Sequence, residues 1–296
     1  MEQTERRQEK LYCSRLGFSL ALTIGCSFLW QIVIAAADYA GLLPQSQTVY
    51  YLLALVGYYL VALPLAMLVC RRVPVPRMDG CGLGLRLLGR WFAIGVSLMW
   101  LGSLVGSWAN SLVYRIAGLQ PVDRVSESLG MLPVAVTLLG ACVLGPLCEE
   151  LLFRGLIARR LARYGQRPAA LVSALLFALY HANLSQFFYA LALGLLLAYA
   201  YFYTGSFVAP VVLHMLFNFY GAFVALLLPE DSRVIVLYAL SWPALTIVGA
   251  ALLTRGWKKQ AWARGICAPT IPVIFCNAGM TTAIVICFVE SALLLL

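Results

Sequence analysis

The chain has 296 residues, of which 62% are hydrophobic and 11% charged, and its mean hydropathy is +0.89. Soluble domains carry about 25% charged residues, so this composition excludes a water-soluble globule and points to one integral membrane domain. The formal charge of +9 does not mark a nucleic-acid binder. The basic residues lie in short clusters between apolar runs and lack the interleaved aromatics of a nucleic-acid groove.

The chain opens with Arg6, Arg7, Lys10 and Arg15, followed by an apolar run over 16–37. That run is longer than a signal-peptide core and no small-residue cleavage site closes it, so the expectation is an uncleaved first transmembrane helix. A spanning helix takes about 20 apolar residues. Further runs lie at 48–70, 91–114, 131–153, 168–182, 186–204, 207–228, 234–254 and 272–296. They are too long, and alternate too little, for membrane strands. The predicted fold is all-α: a polytopic transmembrane helical bundle of about eight or nine spans. Its parts are N-terminal helices over 1–130, a central core over 131–228 and C-terminal helices over 229–296. The ninth run contains Pro272, Asn277 and Glu290, and reads as either a span or a peripheral helix.

Between the runs, "RRVPVPRMDGCGLGLR" (71–86) is a Pro- and Gly-marked break. "GSLVG" (102–106) is a GxxxG that brings two helices close, within the chain or between copies. "RGLIARRLARYGQR" (154–167) is basic and amphipathic and predicts a short helix on the inner surface. Thr204-Gly205-Ser206 reads as a tight turn. Trp91, Trp100, Trp108, Trp242 and Trp257 read as interfacial anchors. Asp38 and Asp123 read as solvated span ends, and "PEDSR" (229–233) as an outer loop. The nine cysteines are odd in number and include no CxxC pair. They form neither a disulfide framework nor a zinc ribbon. Cys148 is a poor nucleophile because its neighbours are acidic.

Lys and Arg set the orientation. Segments 1–15, 71–90, 154–167 and 255–271 hold 18 of the 21 basic residues, leaving Arg115, Arg124 and Arg233 for the opposite side. By the positive-inside rule the expectation is a cytoplasmic N-terminus; the expected location is a bacterial cell (inner) membrane. Membrane lipid is then the surrounding partner, and the sequence says nothing of oligomeric state.

Ionisable groups at lipid depth cost about 2.5–3.5 kcal/mol on insertion scales and are functional candidates by default. Three stretches carry them. In "GPLCEELLFRG" (145–155), Glu150 and Arg154 are i and i+4, the favourable order for an ion pair. Glu149 points about 100° away and must find its partner on another helix. In "FALYHANLSQ" (177–186), His181 ends an apolar run one turn after Phe177. In "VVLHMLFNFYG" (211–221), His214 and Asn218 share a helix face. These are the only two histidines in the chain. A pair of core histidines bonded to amides is the structural alternative. Counted from helix ends at the basic clusters, Glu149 lies about 7 Å deep, His214 about 10 Å and His181 about 20 Å.

Two chemistries fit these groups. Glu149 and His181 can activate a water while His214 and Asn218 donate to the oxyanion of a tetrahedral intermediate, which is amide hydrolysis without a cofactor. Alternatively Glu149, His181 and His214 can hold a divalent metal such as zinc. The metal-free version is preferred, because there is no HExxH and each ligand comes from a different helix. Glu150 and Arg154 are supporting residues in both.

In order, "EELLFR" (149–154), "FALYH" (177–181) and "HMLFN" (214–218) are EExxxR, FxxxH and HxxxN motifs. Together they resemble the CPBP family of intramembrane proteases, named for CAAX-protein and bacteriocin processing and also called Abi. The resemblance covers about 131–228. "YFYTGSFVAPVVLH" (201–214) is similar to the family's connection into its third motif. The resemblance implies a helical membrane core and endopeptidase activity on a membrane-associated or lipidated protein or peptide. It places Glu149, His181, His214 and Asn218 in the catalytic set, and leaves metal dependence open. Two other readings compete: a non-enzymatic bacteriocin-immunity or scaffold protein, and a transporter relaying protons through Glu149 and the histidines. A basic rim of Arg159, Arg160 and Arg163 is expected to attract a substrate carboxylate or anionic lipid.

Overall fold

A computed structural model describes residues 3–78, 82–118, 131–223, 232–256 and 271–295. Asp123, Arg124, Trp257, Cys81, Cys267, most of the 229–233 loop and most of the basic 255–271 segment lie outside these residues. The described chain is helical, without strands: α1 Gln3–Tyr39, α2 Gln47–Cys70, α3 Leu85–Ala117, α4 Val134–Tyr164, α5 Gln166–Tyr180, α6 Leu184–Thr204, α7 Val208–Asn218, α8 Ser232–Gly256, α9 Ile271–Phe275 and α10 Ala278–Leu295. α1, α2, α3, α4, α6 and α8 are long and apolar enough to cross a membrane. The apolar stretches Val208–Gly221 and Ala278–Leu293 are shorter, and the 168–182 run becomes the 15-residue α5. The expected all-α polytopic bundle is borne out, and the protein is an integral membrane protein.

Two helices widen ahead of a proline. α2 is π-helical over Tyr58–Ala62 before Pro64, and α4 over Leu138–Leu144 before Pro146. Proline has no N–H to give the carbonyl four residues back, and a π turn re-pairs the freed backbone. α4 widens again over Leu151–Ala158, just past the two glutamates.

The basic segment 154–167 is not a separate surface helix. α4 runs unbroken to Tyr164 and stops at Gly165, whose φ of 110° lets the chain reverse into α5. Its apolar side chains are part of the buried core (Leu156, Ile157 and Leu161 at 4%, 0% and 1% exposed), so packing overrides the amphipathic pattern. The expected basic rim is correspondingly reduced. Arg163 pairs with Glu9 of α1 at 2.7 Å, Arg160 donates to the Gly155 and Leu156 carbonyls, and Arg159 alone of the three is exposed.

The GxxxG is an internal contact. A methyl group on Gly102 would meet the Tyr189 backbone, and one on Gly106 would overlap the Ser185 carbonyl, so α3 lies against α6 backbone to backbone. At the other side of the bundle α10 docks on α1, with the Gly279 N–H donating to Ser14 Oγ at 2.9 Å. Trp91 is a core residue rather than an anchor: it is 3% exposed and edge-on to Tyr199 and Tyr203. Trp108 is 69% exposed, as an interfacial residue should be. Asp38 at the end of α1 accepts from Gln45 and Tyr50, both at 2.6 Å. The seven described cysteines are all free.

Candidate functional site

The site is built where α4, α5 and α7 meet. α5 returns antiparallel to α4, with Ser173 Oγ donating to the Phe153 carbonyl and the Phe153 ring edge-on to Phe177 and Tyr180. This register carries the end of α5 to the level of the α4 glutamates. α7 is also antiparallel to α4. Phe207 lies near Gly155, His214 meets Glu149 and Glu150, and Asn218 Nδ2 donates to the Ala141 carbonyl at 2.8 Å.

The register corrects the depths expected from sequence. Glu149 is 15 residues from the true end of α4, or about 22 Å at the α-helical rise. His181 is the same number of residues from the start of α5, and the Ser173–Phe153 bond sets it within about one turn of Glu149 along the pair. His214 reaches that level because α7 starts beside Gly155, well inside the end of α4.

Glu150, Arg154 and His214 form one buried network. Glu150 and Arg154 have fully buried side chains, and the Arg154 Nη1 lies 2.9 Å from Glu150 Oε1. Arg154 Nη2 donates to the Gly194 carbonyl of α6 at 2.9 Å, and its guanidinium lies over the Phe177 ring at 4.8 Å. The same Glu150 oxygen is 2.8 Å from His214 Nδ1. The i, i+4 pair read from sequence is therefore present. Its second task, holding an imidazole from α7, was not legible, because it depends on the α4–α7 register.

Glu149 takes the other side of the ring. Its Oε2 is 3.6 Å from His214 Nε2, outside hydrogen-bond range, and its side chain keeps 22% exposure. Two adjacent carboxylates on α4 thus face the two nitrogens of one imidazole. A carboxylate on Nδ1 fixes a histidine's ring orientation and tautomer. His214 Nδ1 donates to Glu150, and Nε2 faces Glu149.

His181 closes α5. Ala182 follows with a φ of 49°. Asn183 then caps α6, its Oδ1 accepting from the Ser185 N–H at 3.0 Å and hydroxyl at 2.6 Å. His181 Nδ1 lies 2.8 Å from the Phe177 carbonyl. A carbonyl only accepts, so Nδ1 carries the proton and, in the neutral ring, Nε2 holds a free lone pair. The rings of His181 and His214 both stand edge-on to Phe177, with centroids at 4.7 Å and 5.6 Å. Phe177 packs against both imidazoles, and this gives the first residue of the FxxxH motif a physical task.

The donor set of the metal alternative is Glu149, His181 and His214. Among the described residues no three His, Cys, Asp or Glu side chains are gathered closely enough to hold a metal ion. Glu149 and His214 approach each other, while His181 packs against Phe177.

The arrangement can be set against known proteins. Residues 131–220 match the family described as Type II CAAX prenyl endopeptidase Rce1-like. The membrane-embedded CAAX protease MroQ of Staphylococcus aureus (strain USA300) is 30% identical over 152 residues, covering 48% of this chain and 60% of the relative. The aligned part of the chain is thus less than two thirds of that relative's length. No solved structure matches. The resemblance drawn from the three motifs is borne out, and it lies in the segment that carries all of Glu149, Glu150, Arg154, His181, His214 and Asn218.

Proposed function

We propose that this chain is an intramembrane endopeptidase that hydrolyses a peptide bond in a membrane-associated or lipidated protein or peptide, with Glu149 and His181 activating the water. The observation that carries this reading is the approach of Glu149 to His214 at 3.6 Å, with Glu150 holding the ring's other nitrogen. Glu149 and the free Nε2 of His181 serve as bases for the water. That water attacks the scissile carbonyl carbon as a proton passes to the base, and the same proton goes on to the leaving amine. The oxyanion is met by His214 and Asn218. With Nδ1 committed to Glu150, His214 donates from Nε2 when that nitrogen also carries a proton. Asn218 gives one N–H to Ala141 and has a second to offer. The similarity of residues 131–220 to CAAX prenyl endopeptidases supports a substrate end of that kind.

The test is comparative membrane proteomics of a wild-type and a Glu149→Gln strain. The expected result is an uncut membrane-associated precursor in the variant alone. Identical peptide ends in both strains would refute the proteolytic reading and favour a scaffold. Uptake that depends on a pH gradient and is lost in Glu149→Gln would favour a transporter. Cleavage by the purified wild type is expected to persist after exhaustive chelation. Its loss, with return on adding zinc, would replace the metal-free chemistry by the metal version.

A further inference from the structure

Four buried side-chain oxygens at or beside the α4 glutamates have no hydrogen-bond partner among the described residues: Glu149 Oε2, Glu150 Oε2 and the hydroxyls of Tyr58 and Tyr59. Both tyrosines come from the π-helical stretch Tyr58–Ala62 of α2, outside the segment 131–220 that carries the family resemblance. Tyr58 interacts electrostatically with Glu149 and Cys148 and approaches the Tyr180 hydroxyl without completing a hydrogen bond. Tyr180 in turn interacts with Glu149 and lies beside His181, ring centroids 6.3 Å apart.

A buried hydroxyl without a partner costs about 1–3 kcal/mol relative to one that is bonded. Phenylalanine fills the same space without that cost. The hydroxyl is therefore not retained for stability, and such orphaned groups call for another explanation. The Glu149 carboxylate with which it interacts has an oxygen that is likewise unpartnered. α2 runs alongside α4, with Tyr51 against Gly140 and Leu63–Cys70 against Leu151–Ala158, so Tyr58 comes beside α4 at the level of its glutamates.

We propose that Tyr58 is a positioning residue for Glu149: in the working enzyme its hydroxyl donates to Glu149 Oε2 and turns the other carboxylate oxygen towards the reacting water. This rests on the hydrolytic reading above. The groups around Glu149 are Tyr58 and Tyr59 of α2, Tyr180 of α5, His214 of α7, and Cys148 and Arg154 of α4. Both tyrosine hydroxyls are orphaned and both interact with Glu149, but Tyr58 also interacts with Tyr180, which lies beside His181. Tyr59 interacts first with Cys148 and less with Glu149.

The test compares the full-length wild type with Tyr58→Phe, Tyr59→Phe and Glu149→Gln. Each is purified in one detergent and assayed for peptide-bond cleavage on a defined library of farnesylated and unmodified peptides, with thermal unfolding measured in parallel. The expected result for Tyr58→Phe is a kcat lower by about ten-fold or more, an unchanged KM, and a melting temperature equal to or above wild type. Tyr59→Phe should keep wild-type kcat. Wild-type kcat in Tyr58→Phe, or a fall in kcat matched by a fall in melting temperature, would overturn the proposal. If Glu149→Gln is inactive while Tyr58→Phe is unaffected, the positioning role alone fails. If Glu149→Gln cleaves like wild type, the hydrolytic reading fails and the positioning role with it.

Discussion

Replacing Glu150 by leucine tests the buried network at its centre. The variant removes the carboxylate oxygen that serves both Arg154 at 2.9 Å and His214 Nδ1 at 2.8 Å. Arg154 keeps the Gly194 carbonyl and the Phe177 ring, but its side chain is fully buried and its charge loses the carboxylate bonded to it, leaving only the more distant Glu149. Breaking one side of a buried pair costs about 3–5 kcal/mol, whereas replacing both partners by apolar residues is often neutral or stabilising. Glu150→Leu should therefore lose most of the stability of the folded state, and Glu150→Leu with Arg154→Met should regain it. Activity should follow a different course. The double variant regains the fold, but His214 has no acceptor at Nδ1, so peptide cleavage stays lost. The assay is a double-mutant cycle by unfolding in a mild detergent, with peptide cleavage measured on the same samples. A cost within about 1 kcal/mol for the single variant would refute the buried-charge argument. Restored cleavage in the double variant would refute the claim that Glu150 orients His214.

Three further outcomes are expected. Asn218→Ala should lower kcat by about 10²–10³-fold, the loss seen when one oxyanion donor is removed; a change in KM alone, measured by steady-state kinetics, would contradict the assignment. His181→Ala should abolish cleavage while leaving the melting temperature near wild type, because the ring's one hydrogen bond is local, to the Phe177 carbonyl. Gly106→Val should separate α3 from α6 at the Ser185 carbonyl and destabilise by about 1–3 kcal/mol or more through overpacking, read as lowered thermal stability. Gly89→Ala, where nothing stands within reach of an added methyl group, should leave the melting temperature unchanged.

The membrane character and most of the helices were legible from the sequence, because a run of about 20 apolar residues needs no tertiary knowledge. The Glu150–Arg154 pair was legible for the same reason: i, i+4 spacing is local geometry. The separation of Glu149 from Glu150 was also readable, since it follows from the helical turn angle. What the sequence did not disclose depends on how helices slide past one another. α4 continues to Tyr164 because its basic residues alternate with Leu156, Ile157 and Leu161, which enter the core; the pattern alone suited a surface helix. The depths of Glu149 and His181 came out unequal for that reason, and the structure brings them to within about one helical turn of each other. Glu150's grip on His214 and Phe177's contact with both histidines require the α4–α7 and α4–α5 registers. The partner of the GxxxG in α6, and the approach of Tyr58 from α2, are contacts far apart in sequence that no local pattern announces.

The central claim is that Glu149 is the base that makes a membrane-depth water reactive. The most direct measurement is peptide-bond cleavage by the purified full-length protein, wild type against Glu149→Gln, with unfolding recorded on both. The account predicts a fall in kcat of about 10²–10⁴-fold, the usual contribution of a general base, with the fold intact. Cleavage by a folded Glu149→Gln protein within a few-fold of wild type would contradict it.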